Sequence, residues 1–224
     1  MPENYPPAQP RQRRGRSSVT ADEILLAAEH VAREGYDALT MRAVATQMGA
    51  SPMALYRYFT TKDDLIDAML DRVLGRIELG PPSDDWLADL TAFATAHREV
   101  LAEHPWAIVP LFTHSNPGIN AAVLGETAFA ILHRGGVVGA EAVATFSAIL
   151  ALNFGWFAFT SARDAARATV DPEVVLGEQL SRLPAEHFPL TRAVAGDLSH
   201  FGSDDQYALA LHRLITGTGV LAAG

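Results

Sequence analysis

Residues 43–65, AVATQMGASPMALYRYFTTKDDL, place a turn glycine and a proline between two short apolar patterns. Gly49 can adopt the positive φ of a sharp turn, and Pro52 suits the first position of a helix, where no amide hydrogen is needed. Small and apolar residues occur where two crossing helices would meet, namely at Val44, Ala45, Met48, Ala50, Leu55 and Tyr58. The stretch predicts a helix-turn-helix, and the alternative is a helix pair that only packs.

The second helix of this pair has an outer side suited to nucleic acid. Met53, Ala54, Tyr56 and Arg57 face away from the predicted core, and a helix of this width fits the major groove of DNA. Met53 can touch a thymine methyl, whereas an arginine can make a bidentate contact to guanine. Of the two arginines in the pair we favour Arg42, since the start of the first helix lies close to the groove edge.

Polar residues occur on both sides of this helix pair where phosphates would lie. Thr40 is a suitable N-cap that offers a hydroxyl, and Lys62, the only lysine of the chain, opens the next helix. Lys62 can equally be a solvated charge. Tyr56 or Tyr58 can add a hydroxyl contact, although the spacing of Tyr58 from Leu55 favours a core position.

Charge is unevenly distributed along the 224 residues, whose net charge is −9. Residues 1–62 hold eight basic and six acidic side chains, and the remainder holds nine basic and twenty acidic ones. Four arginines lie among prolines and glycine before residue 17, which predicts a flexible arm that is either a solvated tail or a phosphate or minor-groove contact. A basic end on an acidic body indicates that the first third meets DNA.

From residue 20 onward the spacing is helical, with no convincing strand. Thr20 and Glu23 match a capping box, Gly35 ends the first helix, and a proline-rich break at residues 80–83 follows a linking helix. Longer helices are expected near residues 84–102, 105–113, 118–134, 139–163 and 204–222. The sequence therefore predicts an all-α chain, with loops and short helices over residues 164–203.

The region after residue 84 is rich in aromatic residues, most of which must be core or subunit contacts. Phe154, Trp156, Phe157 and Phe159 cover several faces of one helix, which an intersubunit bundle with the last helix would bury. Polar residues among aromatics indicate a ligand pocket, whose candidates are His97, His114, Asn120 and Asn153. The spacing of His97, His104 and His114 does not favour a metal site.

Several classes of protein are disfavoured. The chain has no cysteine, which excludes disulfides and thiolate metal sites and favours the cytosol. No apolar run is expected to reach the roughly 18 residues of a membrane span, and no secretory signal is recognised. A helical enzyme is a remote alternative because no catalytic motif occurs. An architectural DNA binder without effector is the other alternative, and no cofactor is expected.

The segment ILLAAEHVAREGYDALTMRAVATQMGASPMALYRYFTTKDDLIDAML, with its ALYRYF…K signature, resembles the TetR family of bacterial transcriptional regulators. Residues 97–160 are more loosely similar to the tetracycline-repressor branch, through AEHPWAIVPLF, ETAFAILHRGGVVGAEA and ALNFGWFAF. The histidines that hold the drug and its magnesium ion in that branch correspond here to Glu78 and Leu111. The resemblance therefore does not extend to a metal-chelated tetracycline.

The resemblance implies an all-α homodimer with an N-terminal three-helix helix-turn-helix domain and a larger helical ligand-binding and dimerisation domain. We expect a basic arm over residues 1–19, the DNA-binding domain over 20–65 and the effector domain over 66–224, with a linking helix near 62–78. The expected function is a repressor of a palindromic operator, released by an apolar or aromatic effector. The predicted DNA-binding residues are Thr40, Arg42, Ser51, Pro52, Met53, Ala54, Tyr56, Arg57, Tyr58 and Lys62. The predicted ligand-binding residues are Phe93, His97, Leu111, Phe112, His114, Asn120, Leu124, Phe146, Leu150, Asn153 and Phe154.

Overall fold

The computed structural model describes residues 19–114, 118–167, 172–200 and 202–217. Every regular element in those ranges is a helix, which confirms the all-α prediction. The chain divides after Lys62 into two compact units. The arginines of the predicted basic arm lie outside the described residues.

The first unit contains three helices: α1 (Ala21–Ala32), α2 (Met41–Gln47) and α3 (Pro52–Leu55). A 3₁₀ turn at Tyr36–Ala38 follows α1. Thr20 begins α1 with the predicted capping box, because its backbone N–H donates to Glu23 Oε2 at 2.9 Å and its Oγ1 accepts from the Glu23 amide at 3.2 Å. This reciprocal cap satisfies amides that the first turn of a helix leaves free.

Helix α1 packs on α2, and α2 packs on α3. The buried residues of α1 include Ile24, Ala28 and Val31, which follow the i, i+4, i+7 spacing of one helix face. Val44 and Leu55 are fully buried on α2 and α3. The apolar pattern of the sequence therefore gives this unit a small core and leaves its polar flank in solvent.

The second unit begins within α4 (Lys62–Leu74). Four long helices and their connections follow: α5 (Trp86–Glu103), a 3₁₀ turn at Pro105–Ala107, α6 (Ile108–Leu111), α7 (Ile119–Arg134), α8 (Gly139–Arg167) and α12 (Asp204–Thr216). Between α8 and α12 lie α9 (Pro172–Ser181), α10 (Pro189–Ala193) and α11 (Ala195–Ser199). These short helices agree with the mixed helix and loop expected there, whereas Val220 lies outside the described residues.

Helix α5 is central to the second unit, since it packs against α7, α8 and α12. Asp85 caps its start by accepting from the amides of Leu87 and Ala88 at 3.0 and 3.1 Å. Leu90 and Phe93 are fully buried on its inner face. The core is thus assembled from helices that are far apart in sequence.

The proline-rich segment before α5 is fastened to the helices around it. Ser83 Oγ donates to Asp89 at 2.8 Å, and Arg134 donates both to the Ser83 carbonyl at 2.5 Å and to Asp89. The Arg134 hydrogen bond, together with those from Ser83, lowers the pKa of Asp89 to about 2. The proline-rich segment at residues 80–83 is therefore a connection within the second unit that hydrogen bonds hold in place.

One segment contradicts the expected lack of a membrane-length apolar run. Gly139–Ser161 in α8 spans 23 residues with a mean hydropathy of 1.7, so it has the length and composition of a membrane span. The expectation was wrong because α8 carries apolar residues on several faces and packs against α5, α7 and α12, while only 22% of the segment is buried. A helix whose outer apolar face is covered by another chain has the same composition.

Candidate nucleic-acid interface and effector cavity

The turn between α2 and α3 has the geometry that its sequence predicts. Thr40 caps α2, and its Oγ1 accepts from the Ala43 amide at 3.1 Å. Gly49 has φ +62°, a left-handed conformation that glycine adopts without steric cost. Pro52 occupies the first turn of α3, and the Ser51 side chain makes no capping hydrogen bond.

Helix α3 is shorter than predicted, and this changes the position of Tyr58. The helix ends at Leu55, so helical spacing does not carry Tyr58 to the inner face. Tyr58 is 45% exposed and its hydroxyl donates to the Val19 carbonyl at 2.6 Å, whereas Phe59 is buried. The preference for a core Tyr58 was therefore wrong, and Phe59 takes the interior position.

The outer flank of the helix pair is solvent-exposed. Met53 is 73% exposed and Tyr56 is 46% exposed, so both side chains are open to solvent. Exposed residues of the predicted DNA-binding set are Thr40, Arg42, Ser51, Pro52, Met53, Tyr56, Arg57 and Tyr58. Ala54 is half-buried. We call this surface the α3 flank.

Lys62 is held at one end of the first unit. Its ammonium group lies 5.0 Å from the centre of the Tyr36 ring, a cation–π distance, and the side chain is half-buried. This contact limits the freedom of the lysine stem. The charge therefore has a more defined position than a freely solvated lysine would have.

The second unit contains a cavity of about 470 Å³ bounded by α4, α5, α7, α8 and the segment around α6. We call it the effector cavity. Its volume is within the range of small-molecule pockets. Its lining residues are Leu74, His97, Leu111, His114, Ala121, Ala122, Leu124, Gly125, Glu126, Phe129, Phe146, Leu150 and Phe154. The wall is mostly apolar and aromatic, with few polar groups to orient a ligand.

Four of the predicted ligand-binding residues do not line this cavity. Phe93 is fully buried in the core with its ring 6.3 Å from Phe146, and Phe112 is 63% exposed although its ring is 5.5 Å from Phe154. Asn120 bonds to α4, and Asn153 lies behind His97. A residue that is close to aromatic residues in the sequence can line the cavity or can lie behind a residue that does. Sequence position alone does not distinguish the two.

One face of α7 lines the cavity without having been predicted from the sequence. Ala121, Ala122, Gly125, Glu126 and Phe129 line the cavity, and they follow the i, i+4, i+8 spacing of a helix face. Ala121, Ala122 and Gly125 are small and leave room for the cavity, and a small residue does not by itself indicate a ligand-binding wall. The spacing of Ala121, Gly125 and Phe129 was the available signal.

The three histidines considered for a metal site have separate partners. His97 Nδ1 contacts Asn153, His104 contacts the Val100 carbonyl and Arg76, and His114 contacts Asp67. Within the described ranges no group of three or more His, Cys, Asp or Glu side chains is arranged to hold a metal ion. Burial lowers the pKa of His97 to about 4, so this ring is neutral at neutral pH.

Helix α4 is fastened to the residues beside the cavity by two carboxylates. Asp71 accepts from the Asn120 amide at 2.8 Å, from Asn120 Nδ2 at 3.0 Å and from the Ala121 amide at 3.3 Å. Asp67 pairs with His114. A Cβ at Gly118 would lie 2.5 Å from Asp71 Cγ, so glycine is needed for this close approach.

Comparison with known proteins identifies the class to which this fold and these sites belong. Residues 24–69 match the model of bacterial regulatory proteins of the tetR family, and residues 80–221 match the tetracyclin repressor-like C-terminal domain. The two matches cover most of the chain. The protein therefore belongs to the TetR family, whose members are helix-turn-helix transcriptional regulators and not enzymes.

Individual relatives agree with this membership. An HTH-type transcriptional regulator of Saccharopolyspora erythraea is 36% identical over 141 residues, which are 62% of this chain and 60% of that protein. The HTH-type transcriptional repressor DrrR1 of Streptomyces coeruleorubidus is 30% identical over 225 residues, covering 92% of this chain and 79% of the relative. The chain thus spans under two thirds of the length of the first of these relatives.

Among solved structures, the Streptomyces coelicolor TetR family protein ActR in complex with actinorhodin has a similar fold. The TM-score is 0.84 at 25% sequence identity, and the superposition covers 93% of this chain and 98% of ActR. The likeness extends through both units, so the effector cavity lies in a fold that holds a small molecule in a relative.

Proposed function

We propose that the protein is a cytoplasmic repressor that binds a palindromic operator as a homodimer and is released by a small molecule in the effector cavity. The observation that carries this proposal is that α4 contributes a residue to the cavity wall and is hydrogen-bonded to residues at the cavity. Leu74 of α4 lines the cavity, and Asp67 and Asp71 of α4 bond to His114 and Asn120. A ligand in the cavity therefore contacts the helix that begins where the helix-turn-helix unit ends.

The α3 flank supports DNA binding. Arg42 and Arg57 are exposed on the same unit as the exposed Met53, so guanidinium groups and an apolar side chain are available to base edges. Thr40, Tyr56 and Lys62 supply hydroxyl and ammonium groups for phosphates. These residues form our proposed operator contact, and Ser51, Pro52, Ala54 and Tyr58 complete it.

The outer faces of α8 and α12 support dimerisation. Val143 and Phe159 on α8 are 54% and 39% exposed, and Leu209 on α12 is 49% exposed, so both helices present large apolar side chains to solvent. A two-fold partner would cover this apolar surface, and two-fold pairing places two recognition elements about 34–36 Å apart, one turn of DNA. The same pairing accounts for the membrane-like composition of α8 without a membrane.

Control by the effector requires a difference in affinity between two states. A ligand that bound the DNA-competent and DNA-incompetent states equally would shift neither. Because α4 is held at Asp67 and Asp71 by residues beside the cavity, a ligand that repositions His114 or the start of α7 changes the preferred position of α4. We infer that the effector binds the DNA-incompetent state more tightly.

The character of the cavity and of a relative's ligand support an aromatic effector. Phe129, Phe146 and Phe154 line the cavity, and ActR binds actinorhodin. The repressor activity of DrrR1, a relative by sequence, favours repression over activation. An architectural DNA binder would have no use for a 470 Å³ cavity next to α4, so this alternative is disfavoured.

Selection from a random duplex library tests operator binding. We expect enrichment of an inverted repeat whose half-sites are one helical turn apart, bound by a dimer in analytical ultracentrifugation. Mobility-shift assays on the selected site, repeated with a library of small apolar compounds, then test release. Equal binding of random and selected duplexes would contradict the proposal, as would a monomer that binds the site.

A further inference from the structure

A chain of hydrogen bonds connects the last helix to the wall of the effector cavity. The Tyr207 hydroxyl on α12 donates to Asn153 Oδ1 on α8 at 2.6 Å. Asn153 Nδ2 is 2.9 Å from both the Ala94 carbonyl and His97 Nδ1 on α5. Tyr207, Asn153 and His97 are all buried, so this arrangement is shielded from water.

The partners of Asn153 determine which nitrogen of His97 carries its proton. The Ala94 carbonyl can only accept, so the Asn153 atom beside it must be the amide nitrogen. The same nitrogen donates to His97 Nδ1, which must therefore be unprotonated. In a neutral imidazole the proton then resides on Nε2, and Nε2 becomes a hydrogen-bond donor.

Burial keeps His97 neutral and Tyr207 protonated, which are the protonation states that these hydrogen bonds require. It lowers the pKa of His97 to about 4 and raises the pKa of Tyr207 to about 12, although the charge of Arg98 partly opposes the second shift. The Arg98 guanidinium lies 4.1 Å from the centre of the Tyr207 ring and pairs with Asp204 at 2.5 Å. At neutral pH the histidine is uncharged and the tyrosine is a donor.

His97 lines the cavity and its Nδ1 is occupied by Asn153, so Nε2 is the ring nitrogen left for a ligand. The ring lies 5.6 Å from the Phe154 ring, and Phe146 and Leu150 are further wall residues from α8. Of the other polar wall residues, His114 pairs with Asp67, and Glu126 is exposed. The described wall includes no lysine or arginine, so nothing in it balances the charge of an anion.

We propose that the effector cavity selects a neutral aromatic carbonyl compound whose oxygen accepts a hydrogen bond from Nε2–H of His97. Asn153 and Tyr207 are positioning residues that hold the imidazole in this tautomer. The inference rests on the proposed effector role of the cavity, and it narrows the ligand from an aromatic molecule to one with an uncharged acceptor. A carboxylate or an aromatic hydrocarbon fits this wall less well.

Two probes with the same ring skeleton test the proposal: 9-fluorenone, a ketone, and fluorene, its hydrocarbon analogue. Their dissociation constants are measured by equilibrium dialysis on the full chain without DNA. Fluorene transfers more readily from water to an apolar site, so a cavity without a donor would favour it. With the His97 donor we expect fluorenone to bind about five- to tenfold more tightly.

Three cavity variants assign the preference to particular groups. His97→Leu should abolish it, His97→Gln should retain part of it because the amide can donate, and Phe154→Leu should weaken both probes and leave their ratio unchanged. The ratio is informative because a merely structural defect would weaken both probes alike.

Imidazole ¹⁵N chemical shifts of His97 test the positioning role directly. In the wild-type chain they should show the proton on Nε2, and in Asn153→Leu they should show a mixture of tautomers. In equilibrium dialysis the preference of Asn153→Leu for fluorenone over fluorene should be about threefold smaller than that of the wild type. The wild-type spectrum suffices if Asn153→Leu fails to fold.

Several outcomes would overturn the proposal: equal or weaker binding of fluorenone, binding of neither probe, an unchanged ratio in His97→Leu, or a proton on Nδ1. Loss of operator binding or of ligand-dependent release would instead refute the proposed function. Because the probes are measured without DNA, the two failures are distinguishable.

Discussion

The α3 flank and the effector cavity are built in opposite ways. The flank comes from one continuous stretch, in which Thr40, Gly49 and Pro52 set the turn and short-range spacing leaves Met53 and Arg57 outside. The cavity is formed by α4, α5, α7, α8 and the segment around α6, with walls contributed from residues 74 to 154. Local signals can specify the first surface, whereas only long-range packing creates the second.

The largest expected effect on stability distinguishes two phenylalanines that the sequence assigns to the same pocket. Phe93→Ala should lower the free energy of unfolding by about 3–5 kcal/mol, because it removes a fully buried ring from the core. Phe112→Ala should change it by about 0.5 kcal/mol or less, since Phe112 is 63% exposed. Urea denaturation measures both, and similar losses would contradict the placement of these residues.

The pH dependence of stability tests the burial of His97. Its pKa falls from 6.5 to about 4 on folding, so between these values the unfolded chain binds a proton that the folded chain does not. The free energy of unfolding should therefore decline as pH falls from 6.5 to 4, by about 3 kcal/mol in all from this group. The contribution is fully present above pH 6.5.

His97→Gln is the control for this titration, because glutamine has no proton to gain. The free energy of unfolding of the wild type should rise relative to that of this variant between pH 4 and pH 6.5. Above pH 6.5 the difference between the two should be constant. Parallel curves over the whole range would show that His97 is not held neutral.

Arg42→Ala tests base recognition by the α3 flank. It should weaken binding to the selected operator by about 1–3 kcal/mol and relax the sequence preference at one base position of each half-site. Competition mobility shifts against single-base variants of the operator measure this effect. Equal losses of affinity for operator and random DNA would show that Arg42 contacts phosphate and does not read a base.

Asp71→Ala tests the attachment of α4 beside the cavity. The substitution leaves the amides of Asn120 and Ala121 without their acceptor, which should lower the free energy of unfolding by about 1–2 kcal/mol. Glu99→Ala, at an exposed position of α5, is the matched control and should change it by about 0.5 kcal/mol or less. Thermal unfolding of both variants decides whether the carboxylate contributes.

The smallest expected effect is that of Lys62→Ala on DNA binding. Loss of one phosphate contact should weaken all sequences alike and reduce the salt dependence of log K by about one unit per protomer. Titrations at several salt concentrations on operator and random duplexes measure the slope. An unchanged slope would mean that Lys62 serves only its contact with Tyr36.

The first unit was more predictable than the second, with one instructive exception. The Thr20 capping box, the Thr40 cap and the positive φ of Gly49 were all anticipated, because each depends on neighbours within four residues. Tyr58 was misjudged because α3 stops at Leu55, and its end depends on how the following turn packs. Helix length at this scale is a tertiary property.

The cavity shows more clearly the difference between what neighbouring residues predict and what tertiary packing decides. His97, His114 and Phe154 were expected at a ligand site from their types and surroundings, and they line the cavity. Asn120 and Asn153 were expected there for the same reason, yet they bond to Asp71 and His97. The face of α7 around Gly125 was missed because small residues signal a cavity only when the opposite wall is known.

Sequence alone determined the helical class, the turn and the exposed α3 flank, since turn chemistry, capping and helical periodicity act over a few residues. The tertiary structure decided which aromatic residues enclose space, which carboxylates hold α4, and which nitrogen of His97 carries a proton. Those properties depend on atoms brought within 3 Å of each other from helices far apart in sequence, as where Asn153 bonds to Ala94, 59 residues before it, and to Tyr207, 54 residues after it.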